Sequence, residues 1–272
     1  MSIASIIPII ALIFGIVGGV FRGITLLNGY EPETLLPIYN DKFQIILIAL
    51  SFIAIILFFV LCKTKCSHLS TDFETAFASN SNITKTVCVI SAVLMLISGA
   101  VGFYTAVTSP NQNIYTQISE FPLWILAIFS AVAIIIITSA LSKKSVSESN
   151  AYLLLVPMFW SAFDLIVVFK TNASSPFLGY YSFELLPSIF LTLAFYSFAG
   201  FLYSKPKPRF MLFCSSLAIV FSFTCVISTF IAQVLVPSMW SFELSTICRC
   251  GCLSGASIWL LSLTTNLCKQ QD

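Results

Sequence analysis

The chain has 272 residues, 58% of them hydrophobic and only 9% charged, with a formal net charge of +2. An ordinary soluble domain carries about 25% charged residues, so this composition, with a mean hydropathy of +0.98, excludes a water-exposed globule and calls for a bilayer as solvent. The small, dispersed net charge leaves no basic footprint for nucleic acid.

A membrane span needs about 20 mainly apolar residues. Eight stretches meet this: 3–27, 43–61, 86–107, 121–141, 152–169, 183–203, 210–236 and 242–267. None alternates with a period of two, and in lipid only helices or closed barrels satisfy every backbone group. The expected fold class is all-α, a polytopic transmembrane helix bundle of about eight helices. Residues 1–272 form a single transmembrane domain with no soluble domain.

The first stretch has no basic residues before Ile3 and no small-x-small cleavage pattern, so it reads as a span rather than a secretory signal. It carries Gly15, Gly19 and Gly23, a double small-xxx-small face for close helix packing. Arg22 lies near its far end. The fifth stretch holds Asp164, the sixth opens on Glu184, and the seventh carries Gln233 near its end. Pro157 and Pro187 are positioned to kink the fifth and sixth helices and free backbone carbonyls. The eighth contains "STICRCGCLSG", with Arg249 between cysteines, and Gly251 and Gly255 as a second packing face.

Orientation follows the distribution of Lys and Arg in the loops. Lys63, Lys65, Lys85, Lys143, Lys144, Lys205, Lys207, Arg209 and Lys269 fall on one side; Lys42 and Lys170 fall on the other. The expected topology is N-in and C-in. Arg22, Asp164, Glu184, Arg249 and Gln233 then share the external third of the bundle.

An ionisable residue inside a membrane helix is costly, so each one asks for a function or a partner. Two cations and two anions at one depth neutralise one another. One reading is a buried ion-pair network that locks the helices. The other is an external polar pocket for a small ligand, and a contact with another membrane protein is a third.

Nine cysteines are scattered through apolar segments. Cys248, Cys250 and Cys252 are spaced i, i+2, i+4. At 100° per residue Cys252 lies nearly over Cys248 while Cys250 points away, so no metal site is expected. The lone histidine, His68, sits in a loop, which removes metalloprotease and Ser–His chemistry. No phosphate-binding glycine loop is present, no catalytic residue stands out, and no cofactor is expected. An intramembrane enzyme remains a third-ranked function.

The segments "RGITLLNGYEPETLLPIY" and "NASSPFLGYYSFELLPSIFLTLAFYSFAGFLYSKPKPR" resemble a family of multi-pass membrane proteins of anaerobic Gram-positive bacteria that has no assigned activity. The matching features are Arg22, the turn that follows it, the motif around Glu184, and the basic loop after the sixth helix. The resemblance implies residence in a bacterial cytoplasmic membrane. It implies no mechanism.

Overall fold

The computed structural model describes residues 3–31, 36–38, 41–66, 69, 71–77, 82–108, 114–143, 152–173, 178–203, 205–235 and 244–269. His68 and Lys144 lie outside them. Every long apolar stretch is a helix: α1 (Ile3–Asn28), α2 (Lys42–Lys65), α3 (Phe73–Phe77), α4 (Asn82–Thr108), α5 (Ile114–Lys143), α6 (Leu155–Thr171), α7 (Leu178–Leu202), α8 (Pro208–Leu235) and α9 (Leu244–Lys269). Among the described residues the one β feature is an isolated bridge from Tyr30 to Pro37 in the α1–α2 turn. Asp41 closes that turn as the α2 cap, accepting from the Phe43 and Gln44 amides.

Seven of these helices are long and apolar enough to cross a membrane, which makes this a multi-pass membrane protein. Their outward faces carry large apolar side chains, such as Phe52, Ile56, Ile97 and Tyr104, each more than half exposed. A soluble monomer rarely tolerates such a belt, whereas acyl chains cover it at no cost. The remaining long helix, α6, has 17 residues, about 25 Å at 1.5 Å per residue, the lower end of what spans a bilayer. Pro157 sits in its first turn, where a missing N–H leaves no helical bond broken.

The contacts define a closed circuit. α4 packs on α5, α5 on α6, α6 on α7, α7 on α8, α8 on α9, and α9 returns to α4. α1 lies outside the circuit against α8, with α2 bridging α1 and α8. Glycine fixes both of the closest approaches. A Cβ on Gly15 would lie 2.8 Å from Phe223 Cβ, and one on Gly19 would lie 2.6 Å from Ile227 Cβ. Gly23 faces Ile231 in the same way. The α1 glycine face therefore seats on α8, and Thr224 Oγ1 on α8 donates to the Gly15 carbonyl at 3.3 Å. The second face, Gly251 and Gly255, seats on α4 at Ser98, Ser91 and Met95. The two glycine faces thus have different partners, α8 for the first and α4 for the second.

The end of the bundle that carries the basic loops is filled by aromatic rings. Short α3 folds back beneath the helices, with Phe73, Ala76 and Phe77 buried. Phe77 meets Phe198 edge-on at 4.8 Å and Phe201 at 5.1 Å, and Phe198 meets Trp259 at 5.7 Å. Edge-to-face pairs at these distances are favourable beyond their buried area. Arg209 Nε, at the start of α8, donates to the Cys66 carbonyl at 3.0 Å and ties α2 to the same end.

Candidate functional site

At the opposite end, the sequence-predicted charges meet. Arg249 on α9 reaches across the circuit to Asp164 on α6. Its Nε donates to Oδ1 at 2.7 Å and its Nη2 to Oδ2 at 3.0 Å. This fork-on-carboxylate geometry is the strongest form of ion pair between side chains. Ser188 on α7 donates a short hydrogen bond to the same Asp164 Oδ2. Asp164 is wholly buried and Arg249 nearly so. One layer deeper, Thr192 Oγ1 donates to Ser161 Oγ at 3.0 Å, repeating the α6–α7 polar contact.

Glu184 sits between the two arginines. Its carboxylate lies 3.6 Å from Arg22 Nη2 and 3.6 Å from Arg249 Nη1, and its side chain keeps about a quarter of its exposure. The Glu184 backbone carbonyl accepts from Arg249 Nη2 at 2.7 Å. Pro187, three residues on, lies inside the continuous helix α7. Arg22 lies over the Phe183 ring, 5.3 Å from guanidinium carbon to centroid, a cation–π contact. The Arg22 Nη1 atom has no hydrogen-bond partner among the described residues.

The structure thus unites Arg22, Asp164, Glu184 and Arg249 in one contiguous cluster. Gln233 is not drawn in. It is half-buried on α8 and lines neither of the two cavities described at this end.

Two cavities flank the cluster. The larger, about 250 Å³ and half-open, lies among α5, α6, α7 and α9. Its wall includes Glu184 and Arg249 together with Glu120, Trp124, Asn172 and Thr246. The smaller, about 50 Å³, lies between α1, α2 and α7 and is lined by Arg22, Tyr30, Gln44 and Phe183. Burial pushes the Tyr30 phenol up from its ordinary pKa; Arg22 pulls it down and Asp41 adds to the rise.

Glu120 and Trp124 line the larger cavity, and sequence reasoning missed both. The hydropathy pattern starts the fourth span at Phe121 and leaves Glu120 in a loop. The observed α5 begins at Ile114, so Glu120 is helical, 6% exposed, and one turn from Trp124 on the same face. The i, i+4 spacing was the available signal. Gly102 on α4 seats the indole: a Cβ there would lie 2.5 Å from the Trp124 ring.

Cys250 and Cys252 of "CRCGC" go to different neighbours. Cys250 faces Cys225 and Thr229 on α8, while Cys252 faces the Met95 carbonyl on α4 at 3.8 Å. This is the divergence that helix geometry predicts for i, i+2 spacing.

No protein-family profile, curated protein or solved structure matches this chain.

Proposed function

We propose that this protein is a small-ligand binding or sensing membrane protein whose site is the half-open cavity among α5, α6, α7 and α9. The observation that carries this reading is the division of labour inside the charge cluster. Asp164 is saturated by Arg249 and Ser188 and wholly buried, which is how a structural lock looks. Glu184 instead keeps about a quarter of its exposure and borders a cavity of about 250 Å³, with Glu120, an indole and apolar side chains in the same wall, the mixed lining of a small-molecule site. The locking-network reading accounts for Asp164 and Arg249 but not for the cavity.

A transporter-like cycle has an obstacle in the same structure. Beneath the cluster Trp160, Phe195, Phe198 and Trp259 are almost fully buried, and α3 closes the far end. Alternating access needs a polar site near the midplane between two gates. Binding and sensing need neither gate. The positive-inside pattern supports an external face for the cavity, and the family resemblance supports a bacterial cytoplasmic membrane as its location.

The test is a metabolite panel screened by thermal shift on the full-length protein in nanodiscs. A true ligand raises the midpoint saturably in the native protein. The cavity-filling substitution Thr246→Trp, on the pocket wall but outside the ion pairs, abolishes that shift. A panel in which every stabilising compound works equally well on Thr246→Trp would overturn the pocket reading.

A further inference from the structure

Arg22 is a buried cation with a hydrogen-bond deficit. The residue is 4% exposed, and its Nη1 atom has no hydrogen-bond partner among the described residues. Its ion-pair partner, Glu184, lies 3.6 Å from Nη2, too far for a hydrogen bond. The same carboxylate is shared with Arg249, also at 3.6 Å. The Phe183 ring under the guanidinium offers a π face and no lone pair in the plane of the N–H groups. A guanidinium carries five N–H donors and keeps its charge at any ordinary pH, and a buried donor left unmatched is costly.

Room for an acceptor lies in the smaller cavity, which Arg22 borders between α1, α2 and α7. Its volume of about 50 Å³ accommodates about four water-sized spheres, enough for one small ion with a little water. Arg22 is the one charged residue among the described residues of the wall. Asp41, the acid of the adjoining turn, is not in that wall, and its two carboxylate oxygens accept from the Phe43 and Gln44 amides.

The rest of the lining favours an anion over water alone. Gln44, on the α2 side, adds the N–H donors of a side-chain amide. Gly179 and Ser182 bring the start of α7 to the cavity. That helix has no acidic residue in its first turn, so no carboxylate there offsets the positive end of its dipole. The Thr25 and Ser182 hydroxyls donate to the Phe21 and Gly179 carbonyls at 3.0 and 3.1 Å, so neither is needed to hold the ion. Leu47 and Ile48 close the wall with apolar surface, which suits a weakly hydrated monovalent ion.

We propose that the cavity between α1, α2 and α7 binds a small monovalent anion of chloride's size, held by the Arg22 guanidinium and the Gln44 amide. The bound ion fastens α1 to α2 and α7 beside the charge cluster. This site is separate from the larger cavity and does not depend on what that cavity binds.

The test follows thermal unfolding of the full-length protein in a non-ionic detergent while potassium gluconate is exchanged for potassium chloride or bromide at constant ionic strength. Chloride and bromide raise the midpoint saturably, and the bulky gluconate does not. Gln44→Glu places an acid in the cavity wall and abolishes the halide response. A glutamate suits the third position of a helix, so this variant keeps α2 and stays folded. Arg22→Gln also loses the response where folded protein is recovered. Crystals grown in bromide show an anomalous peak between Arg22 and Gln44. A midpoint indifferent to halide, or a halide response that Gln44→Glu retains in full, overturns the site. Bromide crystals with only water beside Arg22 overturn it as well.

Discussion

Asp164 is wholly buried, and its charge is met by Arg249 and Ser188 alone among the described side chains. Removing one member of a buried pair leaves the other charge unmatched, a loss of about 3–5 kcal/mol. Asp164→Asn therefore lowers the thermal midpoint in detergent sharply, and Asp164→Arg prevents accumulation of folded protein. Pairing Asp164→Arg with Arg249→Asp restores part of it, measured by the monodisperse peak in size-exclusion chromatography. Glu184→Gln acts differently, because its two ion-pair distances are 3.6 Å and it keeps contact with solvent. Its thermal midpoint falls far less than that of Asp164→Asn. At this scale the sequence was highly legible: a charge in an apolar run is conspicuous, and four of the five residues so marked form the cluster. Glu120 escaped because it follows a polar run, and nothing local says that the helix begins six residues earlier.

The helices repeat that division between what pattern reveals and what packing decides. Hydropathy placed eight long helices to within a few residues at most ends, since lipid imposes the length and leaves no other backbone solution. It did not show which helix each glycine face would meet, because small-xxx-small motifs say that a neighbour comes close without saying which. It also missed α3, five residues too few for any span, whose Phe73 and Phe77 lie one turn apart on one face. Helix packing makes its own prediction. A methyl on Gly255 would lie 2.7 Å from the Ser91 carbonyl oxygen, so Gly255→Ala forces α9 off α4 and costs roughly 1–3 kcal/mol. A methyl on Gly251 instead meets the Ser98 side chain. Ser98→Gly therefore rescues Gly251→Ala but not Gly255→Ala, as judged by thermal unfolding in detergent.

Across the whole molecule, the short α6 decides the topology. If it crosses, both termini share one side and the two ends of the bundle hold opposite charge. The native cysteines are all buried, so single introduced thiols can report sidedness with little background. Asn172→Cys, at the C-terminal end of α6, reacts with a membrane-impermeant reagent in intact cells. Lys207→Cys, before α8, reacts only after lysis. Equal labelling of both in intact cells would remove α6 as a crossing and with it the even count of spans.

The pairing of Asp164 with Arg249 also bears on how the chain is made. The two residues are 85 positions apart, so at about 5–20 residues per second the ribosome needs roughly 4–17 s to supply the partner. During that interval α6, the shortest of the long helices, carries an unmatched carboxylate with only Ser188 of α7 to receive it. The insertion machinery must hold α6 back from free lipid until α9 emerges. A nascent chain stopped after α8 should therefore stay cross-linkable to the translocon through α6, and the full-length chain should not.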